Sequence, residues 1–157
     1  MDPNPVAGCI TLEAALALRA GKRLAFTNGV FDLFHAGHVD SLEAAAAHGD
    51  LLIVGLNSDA SARGLGKGDD RPLVPLVDRA RVIGALRCVT AVVSFDDPTP
   101  IRLIEALRPE VHVKGGDYDP DRLPETPVIR AYGGQVVIVP LRPERSTTAL
   151  LAKIRGA

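Results

Sequence analysis

Five short apolar segments recur along the chain, and longer segments with apolar residues at helical spacing separate them. The apolar segments cover residues 24–29, 51–57, 89–95, 111–116 and 135–141. Most are apolar at nearly every position, which is typical of parallel strands that are covered on both faces. We therefore predict five parallel β-strands.

The segments between the strands carry signals for the ends of helices. Thr11 is a predicted N-cap, and Gly49 is a predicted C-terminal stop. The Thr-Pro pair at residues 99–100 predicts a helix with the threonine as cap and the proline at the first helical position, and residues 126–127 repeat it. The predicted helices cover residues 11–20, 38–49, 76–87, 98–109, 125–134 and 146–156.

Strands that alternate with helices predict right-handed βαβ units and a parallel, doubly wound sheet. The predicted fold class is therefore α/β, with a Rossmann-like five-stranded sheet in a single domain. This domain spans residues 1–157, and we expect residues 1–10 to be a flexible extension. Segment 61–75 is polar and glycine-rich. We predict an irregular loop there, and structureless loops of that length tend to be functional.

The composition argues against several classes of partner. The 157 residues are 46% hydrophobic with a net charge of -1, which gives no indication of nucleic acid or an anionic membrane as a partner. Cys9 and Cys88 form no CxxC pattern. The first residues lack the basic start and apolar core of a signal peptide, and no apolar run approaches the roughly 20 residues that span a bilayer. We expect a cytoplasmic protein with no nucleic-acid or membrane partner.

Ligands of an open α/β sheet bind at the carboxyl ends of the strands, where the strand order reverses. The segments that leave those ends hold lysines, arginines, histidines, glycines and hydroxyl residues, a set suited to phosphate. No GxGxxG motif follows the first strand, and Gly66 and Lys67 are followed by Gly68. The sequence therefore contains neither the dinucleotide fingerprint nor a P-loop.

The motif HAGH, residues 35–38, lies where the first strand gives way to a helix. Three interpretations are open. In the first, both rings hydrogen-bond to the helix start and have a structural role. In the second, they bind a metal ion, which needs a third protein ligand. His48 and His112 are the other histidines, and neither lies in a ligand-spaced cluster with this pair. In the third, the two rings of HAGH contact phosphate, beside Gly37 and the N–H groups of a helix N-terminus. In that case the imidazoles stabilise charge that develops in a transition state.

Residues 26–38, FTNGVFDLFHAGH, resemble the signature of the nucleotidyltransferase superfamily with the HxGH motif, which includes the cytidylyltransferases. Further segments are similar to the heptose 1-phosphate adenylyltransferases of bacterial ADP-heptose synthesis. These segments are GDLLIVGLNSDAS at 49–61, RPLVPLVDRARVIGAL at 71–86, the run that ends in VKGGDY at 118, GGQVVIVPL at 133–141 and STT at 146–148. The resemblance covers nearly the whole chain after about residue 10.

The resemblance implies transfer of an adenylyl group from ATP to a heptose 1-phosphate, with release of pyrophosphate. It implies catalytic roles for His35, His38 and Lys67. The implied nucleotide- and phosphate-binding residues are Thr27, Asn28, Gly29, Phe31, Gly37, Lys114, Gly115, Ser146, Thr147 and Thr148, of which Ser146 or Thr147 also caps the last helix. The implied substrate-binding residues are Asp32, Asn57, Arg71 and Asp117. For Asp32, Lys67 and Asp117 the sequence leaves a purely structural role open, and either Arg142 or Arg145 can contact the triphosphate.

The resemblance also implies a cofactor and partners. Mg²⁺ is expected with ATP, bound mainly through the nucleotide phosphates and not by a cage of protein ligands alone. The relatives imply a homodimer or higher oligomer and a stand-alone form whose sugar kinase is a separate protein. The alternative within the same class is a cytidylyl- or guanylyltransferase that acts on another sugar or polyol phosphate, such as glycerol 3-phosphate.

Overall fold

The computed structural model describes residues 6–66, 70–141, 147–154 and 156. The strands in these ranges are β1 Leu24–Gly29, β2 Leu51–Asn57, β3 Ala91–Phe95, β4 Val111–Gly115 and β5 Gln135–Val139. The α-helices are α1 Leu12–Arg19, α2 Ala36–Ala46, α3 Asp59–Gly64, α4 Leu76–Gly84, α5 Ile101–Leu107, α6 Thr126–Ala131 and α7 Thr147–Ile154. A short 3-10 helix, Pro120–Arg122, lies between β4 and α6.

All five strands form one parallel sheet in the order β3-β2-β1-β4-β5. The chain builds outward from β1 to β3, crosses back over the sheet, and builds β4 and β5 on the other side of β1. This confirms the predicted doubly wound α/β fold. The strand order reverses between β1 and β4, so the topology predicts a ligand crevice at the carboxyl ends of these two strands.

Two hydrophobic layers cover the sheet, and alternate residues of each strand enter opposite layers. Ala25 of β1 packs with Leu42 of α2 and Ile83 of α4 on one face. Its neighbour Leu24 packs with Ala15 of α1, and Leu103 of α5 lies in the same layer on the other face. Because both faces are covered, the strands have no wet side, which is why their sequences are apolar throughout.

Strand β1 pairs unequally with its two neighbours. It pairs with β2 at six positions, from Leu24 to Gly29. With β4 it pairs at two positions, Ala25 with Val111 and Phe26 with His112. The carboxyl ends of β1 and β4 therefore diverge after Phe26, and a crevice opens at the position that the topology predicts.

Helix α3 occupies the beginning of a segment that we predicted to be an irregular loop. Ser58 is its N-cap, and the Ser58 side chain accepts a hydrogen bond from the N–H of Ser61. The helix has six residues and only a short buried stretch, Ser61 and Ala62. A single buried turn leaves no hydrophobic periodicity in the sequence, and this explains the wrong prediction.

Several predicted helix ends differ from the observed ones. Thr11 does cap α1 and accepts from the N–H of Ala14, as predicted. However, α5 begins after Pro100 without a side-chain cap, so Thr99 has no capping role. Thr126 is the first residue of α6, and its hydroxyl donates to the carbonyl of Pro120. Thr-Pro pairs therefore mark helix starts here without capping them.

Gly49 does not end α2 in the way we predicted. The helix ends at Ala46, and Ala47 remains in the right-handed helical region. A Cβ atom on Gly49 would lie 2.6 Å from the backbone nitrogen of Ala25 and 2.7 Å from the carbonyl oxygen of Arg23. Gly49 is thus required by close backbone contact before β2 and not by a left-handed helix cap.

The end of the segment that precedes α1 contacts the core at residues 9 and 10, whereas residues 6–8 are exposed. Cys9 is buried among residues of the first hydrophobic layer, and the N–H of Ile10 donates to the carbonyl of Val92 at 2.8 Å. We expected a flexible extension over residues 1–10, of which residues 1–5 lie outside the described ranges. Residues 9 and 10 have fixed partners in β3 and its layer.

The described helices include none that is long and apolar enough to cross a lipid bilayer.

Candidate active site

A cavity of about 310 Å³ lies at the carboxyl ends of β1 and β4, in the crevice where the strand order reverses. Its lining comes from the end of β1, the loop that follows it, α2, the loop before α4, the end of β4 and α7. Ten residues with predicted roles lie in this lining: Thr27, Asn28, Gly29, Phe31, Asp32, His38, Arg71, Gly115, Thr147 and Thr148. The topology therefore brings together residues that are up to 121 positions apart in the sequence.

His35 and His38 cap the N-terminus of α2 with their own side chains. The N–H of Gly37 donates to Nδ1 of His35 at 3.1 Å, and the N–H of His35 donates to Nδ1 of His38 at 3.2 Å. The two rings stack with 3.9 Å between their centroids. Because Nδ1 of each ring is an acceptor, the neutral imidazoles carry their proton on Nε2.

The capping contacts change what this helix end can offer a ligand. We expected Gly37 to allow a ligand to approach the backbone closely, and the N-terminus of the helix to offer free N–H groups. Gly37 is buried, and its N–H already donates to the ring of His35. Of the HAGH residues only His38 is among the lining residues of the cavity, and the donor that it can present there is its Nε2–H group.

His38 is held neutral by its surroundings. Its ring stacks on Phe34 with 5.1 Å between centroids and meets the edge of Phe31 at 5.4 Å. Burial, followed by the proximity of His35, lowers the pKa of His38 from 6.5 to about 4. At neutral pH His38 is thus a fixed neutral donor rather than a cation or a proton shuttle.

The loop between β1 and α2 contains two residues in the left-handed region, Phe31 with φ of 52° and Leu33 with φ of 45°. Residues with side chains rarely adopt this conformation, and such strain clusters at functional sites. Here it directs the Phe31 ring back over Gly29, where a Cβ atom would lie 3.0 Å from that ring. The small residue and the strained loop together shape the wall of the cavity beside His38.

Asp32 joins three parts of the site. Its carboxylate accepts from Arg71 at 2.6 Å and from the N–H groups of Leu73 and Val74 at 3.0 Å each. Its backbone carbonyl accepts from the hydroxyl of Thr147 at the start of α7. Asp32 therefore ties the loop after β1 to the loop before α4 and to the last helix.

The environment of Asp32 keeps it ionised. Burial alone would raise its pKa, but the N–H groups of Leu73 and Val74 together with Arg71 outweigh burial and lower the pKa below its ordinary value. Both carboxylate oxygens are engaged within the protein. Asp32 and Arg71 line the cavity as a bonded pair, so their predicted contact with substrate stays a prediction.

Arg79 is an organising residue that the sequence analysis missed. It is 2% exposed, and its guanidinium donates to the carbonyls of Val30, Asn57 and Val74. It also pairs with Asp59 at 2.5 Å. Through these contacts the Arg79 guanidinium holds three segments together: the end of β1, the end of β2 and the loop before α4. In the sequence it looks like a polar position of an amphipathic helix, so no local signal reveals this role.

The end of β4 and the first residues of α7 form the far wall. A Cβ atom on Gly115 would lie 2.8 Å from Cδ2 of Leu141, so any larger residue has to displace that side chain. Thr147 bonds to the loop after β1, whereas Thr148 is exposed at the cavity. The start of α7 thus faces the same space as His38, as the prediction of a phosphate-binding STT segment requires.

Other predicted residues lie away from this lining. Asn57 is 4% exposed and donates through its amide to the hydroxyl of Ser61. Lys114 lies 3.6 Å from Oε1 of the buried Glu125. Asp117 is exposed just beyond β4. Their predicted contacts with ligand stay predictions, and for Asn57 the structure shows an internal partner instead.

Four residues to which we gave roles or alternatives lie outside the described residues: Lys67, Arg142, Arg145 and Ser146. Within the described ranges, no group of three or more histidine, cysteine, aspartate or glutamate side chains could hold a metal ion. His35 and His38 therefore acquire no third ligand there.

Comparisons with known proteins identify relatives of this chain. A family model described as Cytidylyltransferase-like matches residues 26–152. The D-beta-D-heptose 1-phosphate adenylyltransferase of Bordetella bronchiseptica is 55% identical over 144 residues, which cover 92% of this chain and 89% of that protein. The bifunctional protein HldE of Geotalea uraniireducens is 56% identical over 135 residues, which cover 86% of this chain and 27% of that protein. The chain spans about a quarter of that longer relative.

Solved structures share the fold. The lipopolysaccharide core biosynthesis protein from Thermoplasma volcanium superposes with a TM-score of 0.65 at 26% identity, over 78% of this chain and 98% of that chain. The pantoate-beta-alanine ligase from Francisella tularensis superposes with a TM-score of 0.56 at 11% identity, over 88% of this chain and 67% of that chain. The second similarity concerns the fold alone.

Proposed function

Because the chain belongs to the cytidylyltransferase-like family, we propose that it transfers an adenylyl group from ATP to D-glycero-β-D-manno-heptose 1-phosphate. The products are ADP-heptose and pyrophosphate, for the synthesis of lipopolysaccharide core or another surface glycan. The observation that carries the proposal is the cavity at the switch point, which joins His38 at the start of α2 to Thr147 and Thr148 at the start of α7. Two helices that direct the positive ends of their dipoles at one cavity suit a triphosphate.

The chemistry needs little proton transfer. An oxygen of the sugar phosphate attacks the α-phosphorus of ATP, and the bond from that phosphorus to the bridging oxygen of the β-phosphate breaks. The acceptor phosphate has a second pKa of about 6, so it is already an ionised nucleophile at neutral pH. Catalysis then depends on positioning and on stabilising charge at the phosphoryl oxygens.

His38 is suited to stabilise charge at the phosphoryl oxygens. Its low pKa keeps it neutral, and its Nδ1 is bound to the backbone of His35, so Nε2–H is the group that can donate to a phosphoryl oxygen. The stack with His35 and Phe34 fixes the direction of that donor before substrate arrives. A preorganised donor costs no reorganisation during the reaction. We propose that the neighbouring His35 also contacts the triphosphate, although it is not among the lining residues of the cavity.

The loop before α4 completes the site in this proposal. Asp32 holds Arg71 at the cavity, and Lys67 belongs to the same connection between α3 and α4. We propose that Lys67 and Arg71 contact phosphate when ATP is bound, and that Ser146 contributes with Thr147 and Thr148 at the other end of the triphosphate. Asp117 and Lys114 are proposed to contact the sugar phosphate or the nucleotide at the end of β4.

Mg²⁺ is the proposed cofactor. Asp32 is the one carboxylate in the described lining, and its oxygens are bound to Arg71 and two backbone N–H groups. The residues present therefore fit a cation that is held mainly by phosphate oxygens and water, as is usual for Mg²⁺ with nucleotides. The ion would neutralise charge on the leaving pyrophosphate. We further propose a cytoplasmic homodimer or higher oligomer that receives heptose 1-phosphate from a separate sugar kinase.

A pyrophosphate-release assay tests the proposal. Purified protein is supplied with each of the four nucleoside triphosphates, Mg²⁺, and a panel of sugar 1-phosphates and glycerol 3-phosphate. We expect turnover with ATP and heptose 1-phosphate, and loss of that turnover in His38→Ala. Turnover with CTP and glycerol 3-phosphate alone would replace this function by the cytidylyltransferase alternative.

A further inference from the structure

His112 is a buried histidine that the chemistry above does not use. It lies on β4 with no exposed surface, and its ring centroid is 5.6 Å from that of Phe26. Its Nε2 is 3.0 Å from Oδ1 of Asn28. Its Nδ1 is buried and has no hydrogen-bond partner within the described part of the chain. A buried imidazole with one polar partner calls for an explanation.

The position of the single ring proton follows from this geometry. Burial, and to a smaller extent the cation of Lys114, lowers the pKa of His112 to about 3, so the ring is neutral with one N–H group. A proton on Nδ1 would leave a buried donor without an acceptor, which proteins avoid more strictly than an unused lone pair. A proton on Nε2 donates to Oδ1 of Asn28. The structure therefore favours the Nε2–H tautomer.

This tautomer decides which way the amide of Asn28 points. An asparagine amide can exchange its oxygen and its NH2 group by a half-turn with little change of shape. Donation from His112 holds the oxygen toward β4, so the NH2 group is left for the crevice, where Asn28 lines the cavity. The strands diverge directly after the pair of Phe26 and His112. His112 thus orients Asn28 at the point where the crevice begins.

We propose that His112 is a positioning residue, which holds Oδ1 of Asn28 so that the Asn28 NH2 group donates to an oxygen of the bound nucleotide. The inference rests on the proposed function only in taking a nucleoside triphosphate as the ligand. The proposed role of His112 differs from those of His35 and His38, because His112 acts through Asn28 and does not touch the ligand.

A double-mutant cycle on nucleotide binding tests this role. The dissociation constants of ATP with Mg²⁺ are measured by calorimetry for the wild type, His112→Leu, Asn28→Ala and the double variant. We expect each single variant to bind about tenfold more weakly, which is the size of one oriented hydrogen bond. The double variant should bind within about twofold of Asn28→Ala, because the two residues form one unit. Losses that multiply in the double variant would overturn the proposal.

Two further measurements separate positioning from simple packing. His112→Gln retains a side-chain donor and should recover most of the affinity, whereas His112→Met fills the space without a donor and should not. Equal affinity for the glutamine and methionine variants would contradict the proposal, and this pair also serves if His112→Leu does not fold. In the wild type, ATP should shift the NMR resonances of the Asn28 NH2 group, and resonances that stay in place would also contradict it.

The choice of nucleotide distinguishes this inference from the proposed function. Tight binding of CTP instead of ATP, with the coupling between residues 28 and 112 intact, would refute adenylyl transfer and support the role of His112. Tight binding of ATP without that coupling would support adenylyl transfer and refute the role of His112.

Discussion

A cavity lies at each end of the sheet, and the two cavities differ in how their polar atoms are used. The cavity at the carboxyl ends measures about 310 Å³, and the one at the amino ends measures about 270 Å³. Both have charged residues in their walls. The amino-end cavity is lined by Arg19, Arg108, Glu110, Tyr132, Gly133 and Gly134.

At the amino ends the polar groups satisfy one another. Arg19 donates to the carbonyls of Leu107 and Arg108 and pairs with Glu110 at 2.7 Å. Glu110 also accepts from the N–H of Leu24, which begins β1. Arg19 therefore covers the carbonyl end of α5, and Glu110 anchors the first strand. At this end the charged groups therefore stabilise the fold.

At the carboxyl ends the contacts orient groups and leave donors for a ligand. The Nδ1 atoms of His35 and His38 bind the helix start, and the Nε2–H group of His38, which lines the cavity, remains for a ligand. The oxygen of Asn28 binds His112, which leaves the NH2 group. Parallel strands also direct helix N-termini to this end and helix C-termini to the other. The two cavities are similar in size and both have charged residues in their walls, and the availability of oriented donors distinguishes the proposed active site.

The largest expected effect comes from His38→Ala. Removal of one preorganised donor to a phosphoryl transition state should lower kcat by roughly 10²–10³-fold. The partly buried ring caps one N–H group, so we expect only a small change in the free energy of unfolding. Steady-state kinetics and urea unfolding measure both quantities. A variant with near-normal kcat would remove His38 from the catalytic residues.

Asp32→Asn should have the next largest effect, because it removes the charge that holds the loop before α4. The amide keeps one acceptor but places N–H groups beside Arg71 and the donors of Leu73 and Val74, so we expect a loss of about 1.5–3 kcal/mol in unfolding free energy. KM for ATP should rise because Arg71 loses its position. Asp97→Asn is the matched control, since its exposed pair with Arg102 should contribute less than about 1 kcal/mol. Equal effects of the two variants would contradict the role of Asp32.

Glu110→Gln tests the amino end in the same assays. The substitution removes the charge that Arg19 and the N–H of Leu24 bind, so we expect a loss of about 1 kcal/mol in unfolding free energy. The values of kcat and KM should stay within about twofold of the wild type, because this residue lies at the opposite end of the sheet. A selective loss of kcat without loss of stability would show that the amino-end cavity takes part in the reaction.

The two ends should also respond to acid in different pH windows. Burial lowers the pKa of His38 from 6.5 to about 4, so the unfolded chain binds this proton more readily and stability falls as pH drops from about 6.5 toward 4. Burial also lowers the pKa of His112, to about 3, so protonation of His112 likewise lowers stability as the pH falls from about 6.5 toward 3. The pKa of Glu110 is lowered from 4.5, because the N–H of Leu24 and Arg19 outweigh burial, so its contribution is present above pH 4.5 and is lost below.

Urea unfolding at several pH values checks this order. We expect His38→Ala to flatten the stability profile between pH 6.5 and 4, whereas Glu110→Gln should flatten it only below 4.5. The opposite assignment of the two windows would contradict the assigned charge states. Activity should vary little between pH 6.5 and 8, since His38 is neutral throughout that range.

The fold was predictable because its signals are local. Apolar runs gave all five strands, and Thr11 at the start of α1 behaves as the sequence indicated. The position of the larger cavity was also predictable, because topology alone predicts a ligand crevice at the carboxyl ends of β1 and β4. The wrong predictions came from residue types that occur in more than one structural context. Glycine and threonine are common at helix ends, but here close backbone packing requires Gly49, and Thr99 does not cap α5.

The contacts that organise the site were not predictable, because they join residues that are far apart in sequence. Arg71 lies 39 residues from Asp32, and His112 lies 84 residues from Asn28. Arg79 occupies an ordinary helical position in the sequence and becomes the buried centre of three segments. Sequence patterns identify residue types that suit phosphate, whereas the orientation of their donors depends on such long-range partners.

Amide NMR spectra recorded while ATP and Mg²⁺ are added test most directly which cavity is the active site. Glycine resonances mark both ends of the sheet, with Gly29 and Gly115 at the carboxyl end and Gly133 and Gly134 at the amino end. We predict that saturating ATP shifts the resonances of Gly29 and Gly115 and leaves those of Gly133 and Gly134 in place. Shifts confined to Gly133 and Gly134 would contradict the assignment of the active site.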